Sequence, residues 1–252
     1  KQSNKEKMKH SIIIGQDPAA KNIQKFLEID YKEADKKSIF CEHIDEEVEG
    51  EIIIFPTTHT SAKGLQCLTV HPIGNWGEEA KIGGNPRELA IAPASLMKDL
   101  FLELKKEFDG EVTMEATHHG PSLKKPCCFI EIGSGPDDWP VEKYGKIVAK
   151  VLKKVVGKEK EYKTVMLLGG GHYGARVNQI MGKTEYAVGH HCPKYNLQYI
   201  DKEMLQQALD KHKEKVEFVV LDWKGMGSEK KRILELLEEM NIPYKKAKQL
   251  LK

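Results

Sequence analysis

Between Cys127 and Leu168 the chain reads as strand, loop, helix and strand: an apolar run at Cys127–Ile132, a Gly-Ser-Gly-Pro connection, a helical pattern at Val141–Val156 and a second apolar run at Val165–Leu168. Two strands joined through a helix are expected to pair in parallel, by a right-handed crossover. The helix places Tyr144, Ile147, Val148, Val151, Leu152, Val155 and Val156 on one stripe. A stripe of that width needs a sheet or a neighbouring helix to cover it. This stretch by itself predicts an α/β domain.

The same alternation extends in both directions. Ser11–Ile14 reads as a strand, followed by a helix over Ala19–Glu28 with Asp17 as N-cap and Pro18 in its first turn. Glu51–Phe55 reads as a buried strand ended by Pro56, and Cys67–His71 as a further short strand inside the Gly/Asn/Pro-rich stretch from Thr57 to Pro93. A helix at Ala94–Phe108 precedes a strand over 112–116, and a helix at Asp201–His212, a strand at Glu217–Leu221 and a helix at Ser228–Met240 complete the series. The pattern predicts one α/β domain over residues 9–252 with helices on both faces of its sheet, behind a polar tail at 1–8.

Composition narrows the class. Forty Lys and Arg nearly cancel 38 Asp and Glu, so global charge does not announce a nucleic-acid binder, although local basic patches would suffice. Five cysteines, an odd number without a C-x-x-C pair, argue against a disulfide framework and for a reducing cytoplasm. No apolar run is long enough for a membrane span, and Lys1–Lys9 is too polar for a secretory signal.

The chemistry-bearing residues collect in connections. His59 follows the strand 51–55, His71 opens His-Pro-Ile-Gly-Asn-Trp-Gly, His118 and His119 follow 112–116 ahead of Gly120-Pro121, and His172 follows Gly169-Gly170-Gly171. His190 and His191 precede Cys192-Pro193. Any one of these imidazoles would most simply be structural. Seven of ten histidines in such connections predict instead a shared metal site or a general acid/base site. Strand alternation puts Glu115 and Thr117 on one side, Ala116 and His118 on the other.

Gly169–Gly174 formally matches G-x-G-x-x-G after a strand, but no strand ending in an acid follows about 20 residues later. An amide nest for a phosphate or oxyanion and a plain tight turn fit it about equally. Lys143, Lys146, Lys150, Lys153 and Lys154 lie largely opposite the apolar stripe, which reads as a solvated face before a phosphate-binding one. Glu131, an acid inside an apolar strand, demands a partner such as a histidine or lysine, whereas Asp222 before Lys224 reads first as structural.

Taken together, Thr58-His59-Thr60-Ser61, His71-Pro72-Ile73-Gly74-Asn75-Trp76-Gly77, Glu115–Pro121, Phe129–Ser134, Gly169–Tyr173, Gly189-His190, Pro193-Lys194-Tyr195 and Asp222–Gly225 resemble the archaeal and plant, type 2, D-aminoacyl-tRNA deacylases. The blocks run in family order over most of the chain. The resemblance implies an esterase that removes a D-amino acid from the 3′ end of mischarged tRNA, a chirality check that returns the tRNA to translation. It also implies a three-layer α/β/α fold with a mixed, mostly parallel sheet, phosphorylase/hydrolase-like and similar to peptidyl-tRNA hydrolases, and it implies zinc.

Carried onto this chain, catalytic roles are expected at His59, His118, His119, Glu131 and His172, and substrate contacts at His71, Asn75, Gly170, Gly171, Tyr173 and Lys224. His118, His119, His172 and His190 are the expected zinc ligands. A cytoplasmic monomer acting on aminoacyl-tRNA follows. The alternatives are another zinc-dependent hydrolase, aminopeptidase- or amidohydrolase-like, and a non-catalytic tRNA- or nucleotide-binding module.

Overall fold

A computed structural model describes residues 9–61, 64–158 and 160–251; the expected tail at 1–8 lies outside the described residues. In chain order the elements are β1 (His10–Ile14), α1 (Pro18–Gln24), β2 (Lys32–Glu33), β3 (Ile52–Thr58), β4 (Cys67–Pro72), α2 (Ala94–Glu107), β5 (Glu111–Met114), β6 (Cys127–Gly133) and α3 (Glu142–Val155). They continue with β7 (Lys163–Leu168), α4 (Ala175–Lys183), β8 (Tyr186–Cys192), α5 (Lys202–Asp210), β9 (Val216–Leu221), α6 (Lys230–Glu239), β10 (Tyr244–Lys246) and α7 (Ala247–Leu250).

The strands form two hydrogen-bonded ladders, a six-stranded one in the order β2-β1-β3-β6-β4-β5 and a four-stranded one in the order β10-β9-β7-β8. Every pairing is parallel except β4 with β6. The mixed, mostly parallel α/β architecture is therefore as expected. The crossover from β6 to β7 is not. β6 already has β3 and β4 on its two sides and no free edge, so β7 starts the second ladder. The helix between them packs instead across α1 and α2.

Side-chain alternation divides the core. Ile12, Ile14, Ile52, Ile54, Cys128, Ile130 and Ile132 point into the large core with α1, α2 and α3, which also takes Val165 and Leu167 of β7. Ile13, Ile53, Phe55, Cys127 and Phe129 face the other way, into a smaller core closed by short 3-10 turns and loops. On the four-stranded ladder Met166, Leu168, Val219 and Leu221 turn outward under α5 and α6. It is the face of the six-stranded ladder without a long helix over it that leaves room for polar side chains.

Several local expectations shift. Asp17 does not cap α1, because its carboxylate accepts from the Ser38 amide and hydroxyl at 2.8 and 2.6 Å. Helix α1 stops at Gln24 rather than reaching Glu28. Pro56 does not end its strand, since β1 pairs β3 only through Ile54 and the missing N–H falls where no partner waits on that side. Helix α4 and strand β8 had no counterpart in the sequence reading: α4 is short, and Gly189-His190-His191 read as a connection although His190 and His191 are buried in β8.

Candidate active site

β3 and β6 run side by side, and beyond Phe55 and Phe129 their shared face turns polar. Glu131 sits there, opposite Thr69 of the antiparallel β4, whose hydroxyl donates to its carboxylate at 3.2 Å. His71 follows two residues later on the same face of β4, with Nε2 at 3.5 Å from Glu131. His59, just past β3, puts Nδ1 at 3.3 Å from Glu131 and 3.2 Å from Glu115. Both carboxylates are buried. Buried carboxylates remain ionised only beside cations or donors, and here imidazoles take that part.

Glu115 comes from the other direction. β5 ends at Met114, and the next residues bridge to the loop after β7: the Ala116 amide donates to the His172 carbonyl, and Glu115 bridges Tyr173. Because the strand has ended, regular alternation no longer applies. Glu115, His118 and His172, expected on different sides or elements, each bring one polar atom within 4.8 Å of the others. His172 Nε2 lies 2.7 Å from Glu115 and its Nδ1 lies 3.0 Å from the Tyr195 hydroxyl. The His59 Nε2 meets the Tyr173 hydroxyl at 2.9 Å.

The pair that follows is held by its own backbone. His118 donates from Nδ1 to the Ala116 carbonyl and His119 from Nδ1 to the Gly120 carbonyl, both at 2.8 Å. His119 adopts φ 44°, a conformation uncommon for a residue with a side chain. The turn closes because residue 120 is glycine: a Cβ there would lie 2.1 Å from the Gly84 amide. Both rings border a cavity of about 160 Å³ shared with Asn75, Trp76 and Tyr199.

Electrostatics divide the imidazoles into two kinds. Burial disfavours the charged form of His59 and His71, but hydrogen bonding and charge from Glu131, with Glu115 adding to both, prevail and raise their pKa values. Burial likewise opposes ionisation of Glu131 and Glu115, and the surrounding histidines overcome it and hold both below the usual carboxylate range. At His118 and His119 the opposing support, from backbone carbonyls and, at His119, from the charge of Glu131 and Glu115, is outweighed. Burial and the neighbouring rings depress both, His119 to about 4, so they are neutral near pH 7.

The donor set suits a metal. His71, His118 and His119 offer one ligand atom each within 4.8 Å of one another. Each ties Nδ1 to a backbone carbonyl, of Pro72, Ala116 and Gly120 respectively, which leaves Nε2 as the free ligand atom. The buried His71 Nε2 meets only the Glu131 carboxylate, at 3.5 Å and without good hydrogen-bond geometry. His172 falls in a second such group with Glu115 and His118. His190, expected as a ligand, is in none: its Nε2 is directed at the Ala90 and Lys211 carbonyls at 3.0 and 2.9 Å.

The expected substrate contacts are dispersed. Asn75 borders the cavity, but its side-chain amide donates to the Gly83 and Asn85 carbonyls. Gly170 spends its amide on the Gly225 carbonyl at 2.9 Å, so any nest begins with the exposed Gly171. Lys224 is exposed in the loop after β9, which places it outside the cluster. The lysines of α3 face carboxylates, Lys150 and Lys154 reaching Glu107 and Lys143 reaching Asp109, as a solvated face would.

Glu115 and Tyr195 lay within the family-resembling blocks but were given no role by the sequence reading. Glu115 carried the same signal that singled out Glu131, an acid in an apolar strand.

A family model described as D-aminoacyl-tRNA deacylase matches residues 46–245. A D-aminoacyl-tRNA deacylase of Pyrococcus furiosus is 36% identical over 219 residues, 83% of this chain and 80% of the relative. One from Methanosarcina acetivorans is 35% identical over 224 residues, 84% of this chain and 74% of the relative. A crystal structure of a conserved protein of unknown function superposes with a TM-score of 0.89 at 29% identity, over 97% of both chains. No helix among the described residues is long and apolar enough to cross a membrane. By the match along most of its length, the chain belongs to the D-aminoacyl-tRNA deacylase family.

Proposed function

We propose that this chain hydrolyses the ester between a D-amino acid and the 3′ end of tRNA, with the cluster around Glu115 and Glu131 as its catalytic centre. The observation that carries the reading is the pairing of two buried carboxylates with three imidazoles, those of His59, His71 and His172, beside two neutral imidazoles with a free Nε2. Ester hydrolysis needs an activated water, stabilisation of the oxyanion and a proton for the departing ribose oxygen.

The half-buried His172 suits the proton transfer. Glu115 fixes its Nε2 side, as a carboxylate orients a general acid or base, while Tyr195 holds Nδ1. His59, charged between Glu115 and Glu131, donates from Nε2 to the Tyr173 oxygen, which Ser61 also meets, and so fixes the phenol at the edge of the cluster. His71, His118 and His119 are the residues that would hold zinc, in preference to the His118, His119, His172 and His190 set. Zinc bound there would supply Lewis-acid polarisation and a nucleophilic water near neutral pH.

The test is release of amino acid from matched D- and L-aminoacyl-tRNA. Release from the D-ester with retention of the L-ester is expected, and equal or absent release overturns the reading. Metal analysis of the purified protein, with chelation and add-back, tests the zinc assignment separately.

A further inference from the structure

Two residues, Ala116 and Thr117, separate Glu115 from the histidine pair, and the second of them borders the cavity while being shut off from water. Thr117 is fully buried, and its hydroxyl lies 3.1 Å from the Nδ1 of His190 and accepts from the His191 amide at 3.0 Å. The other nitrogen of His190 has two carbonyls within reach, those of Ala90 and Lys211. Carbonyls only accept, so Nε2 carries the proton and Nδ1 is a bare lone pair. The Thr117 hydroxyl must therefore donate to His190, and its direction is set from outside the active site.

The backbone of Thr117 is gripped as well. Its amide donates to the His191 carbonyl at 3.0 Å, and its own carbonyl accepts from the Trp76 indole at 3.1 Å. His190 is fixed in turn by β8, whose His190 amide donates to His212 Nε2 at 3.0 Å, and a Cβ on Gly189 would lie 2.1 Å from the His212 ring. Past Met114 the regular strand gives way to isolated bridges, Glu115 to Tyr173 and His118 to Ile73, with the Glu115 amide donating to the Val70 carbonyl. To these backbone contacts Thr117 adds a side-chain link to β8 of the second ladder.

We propose that Thr117, oriented by His190, is a positioning residue that sets where Glu115 and His118 stand in the catalytic cluster. The His190 imidazole acts through the hydroxyl and touches no substrate. The inference rests on the reading of that cluster as the catalytic centre, and one arm of its test does not use activity. Misplacing a reacting group by about 1 Å can cost on the order of 100-fold in rate.

Thr117→Val removes the hydroxyl at nearly constant volume, and Thr117→Ser keeps it. With D-aminoacyl-tRNA as substrate, the valine variant is expected to lose 10- to 100-fold in kcat with KM within threefold of wild type. Serine is expected to restore kcat to within threefold. In the activity-independent arm, the His118 ring resonances in the NMR spectrum of the purified protein should move in the valine variant and return in the serine variant. If the valine variant does not fold, His190→Asn, which keeps an acceptor toward Thr117 and drops the Nε2 donor, should retain kcat better than His190→Phe. Wild-type kcat in Thr117→Val, no rescue by serine, unmoved His118 resonances or equal losses in the two His190 variants would each overturn the proposal. Absence of D-specific release by the wild type would instead overturn the functional reading and leave the NMR arm standing.

Discussion

Around Glu115 and Glu131 imidazoles face carboxylates, whereas in and beside β8 His190, His191 and His212 face backbone groups and one another. The difference shows in their ionisation. Carboxylates outweigh burial at His59 and His71 and raise both, while burial, helped by neighbouring rings at His190 and His191, depresses His190, His191 and His212, the last two to about 4. In the first group His59 can hold charge near pH 7, and His71 can do so only where no metal takes its Nε2. The other is a set of neutral hydrogen-bonding struts. Burial and residue type are alike in both, so neither marks a site; the partner does.

Replacing the partner should break the contrast. Glu115→Gln leaves the shape and removes the charge that His172 and His59 answer to, and kcat for D-aminoacyl-tRNA is expected to fall about 10²–10⁴-fold. A loss under tenfold in single-turnover measurements would count against Glu115 as orienting group. His119→Ala should next reduce bound zinc and lower turnover about 100-fold, whereas Lys224→Ala should leave metal content unchanged; metal analysis of both proteins decides it.

The second group makes a prediction about stability and pH. His212 has a folded pKa of about 4 against about 6.5 unfolded, so between those values the unfolded chain binds more protons. Stability must fall as pH drops through that window, by about 1.4 kcal/mol per pH unit for each such ring. His212→Gln should flatten the slope by about that amount in denaturant titrations from pH 6.5 to 4.5, and an unchanged slope would show that His212 is not neutral in the fold. His59 and His71 carry the opposite sign. Their raised values add stability below about 6.5 that is lost as pH climbs through the folded pKa.

The smallest effect belongs to the lysine face. Lys150→Ala breaks a solvated pair with Glu107 and should leave the denaturation midpoint essentially unchanged. If α3 instead contacts tRNA, KM would rise and its salt dependence would weaken, which a titration in KCl would reveal.

Much of the fold was readable because its elements carry strong local patterns. Helix α3 appears within a residue or so of its apolar stripe, and the buried strands β3 and β6 within a few residues. The failures share a cause, which is that the deciding contact is remote. Asp17 caps nothing because Ser38 takes its carboxylate, and His190 leaves the metal set because Ala90 and Lys211 take its Nε2. Glu115 was placed on a strand face but given no role, because its side chain meets His59 and His172 only where its strand stops.

What the sequence determined alone was the inventory: an α/β chain with histidines gathered at a few breaks in its apolar pattern, and an acid at position 131 that had to be answered by a cation or donor. Periodicity and burial are local properties of the chain, so they can be read along it. Only the tertiary structure decided which histidines meet carboxylates and which meet carbonyls. That choice depends on two ladders, separated by the missing free edge of β6, coming together at the segment from Glu115 to His119. Distances of 3 Å between residues more than 50 positions apart are set by packing, and the chemistry of an imidazole follows from them.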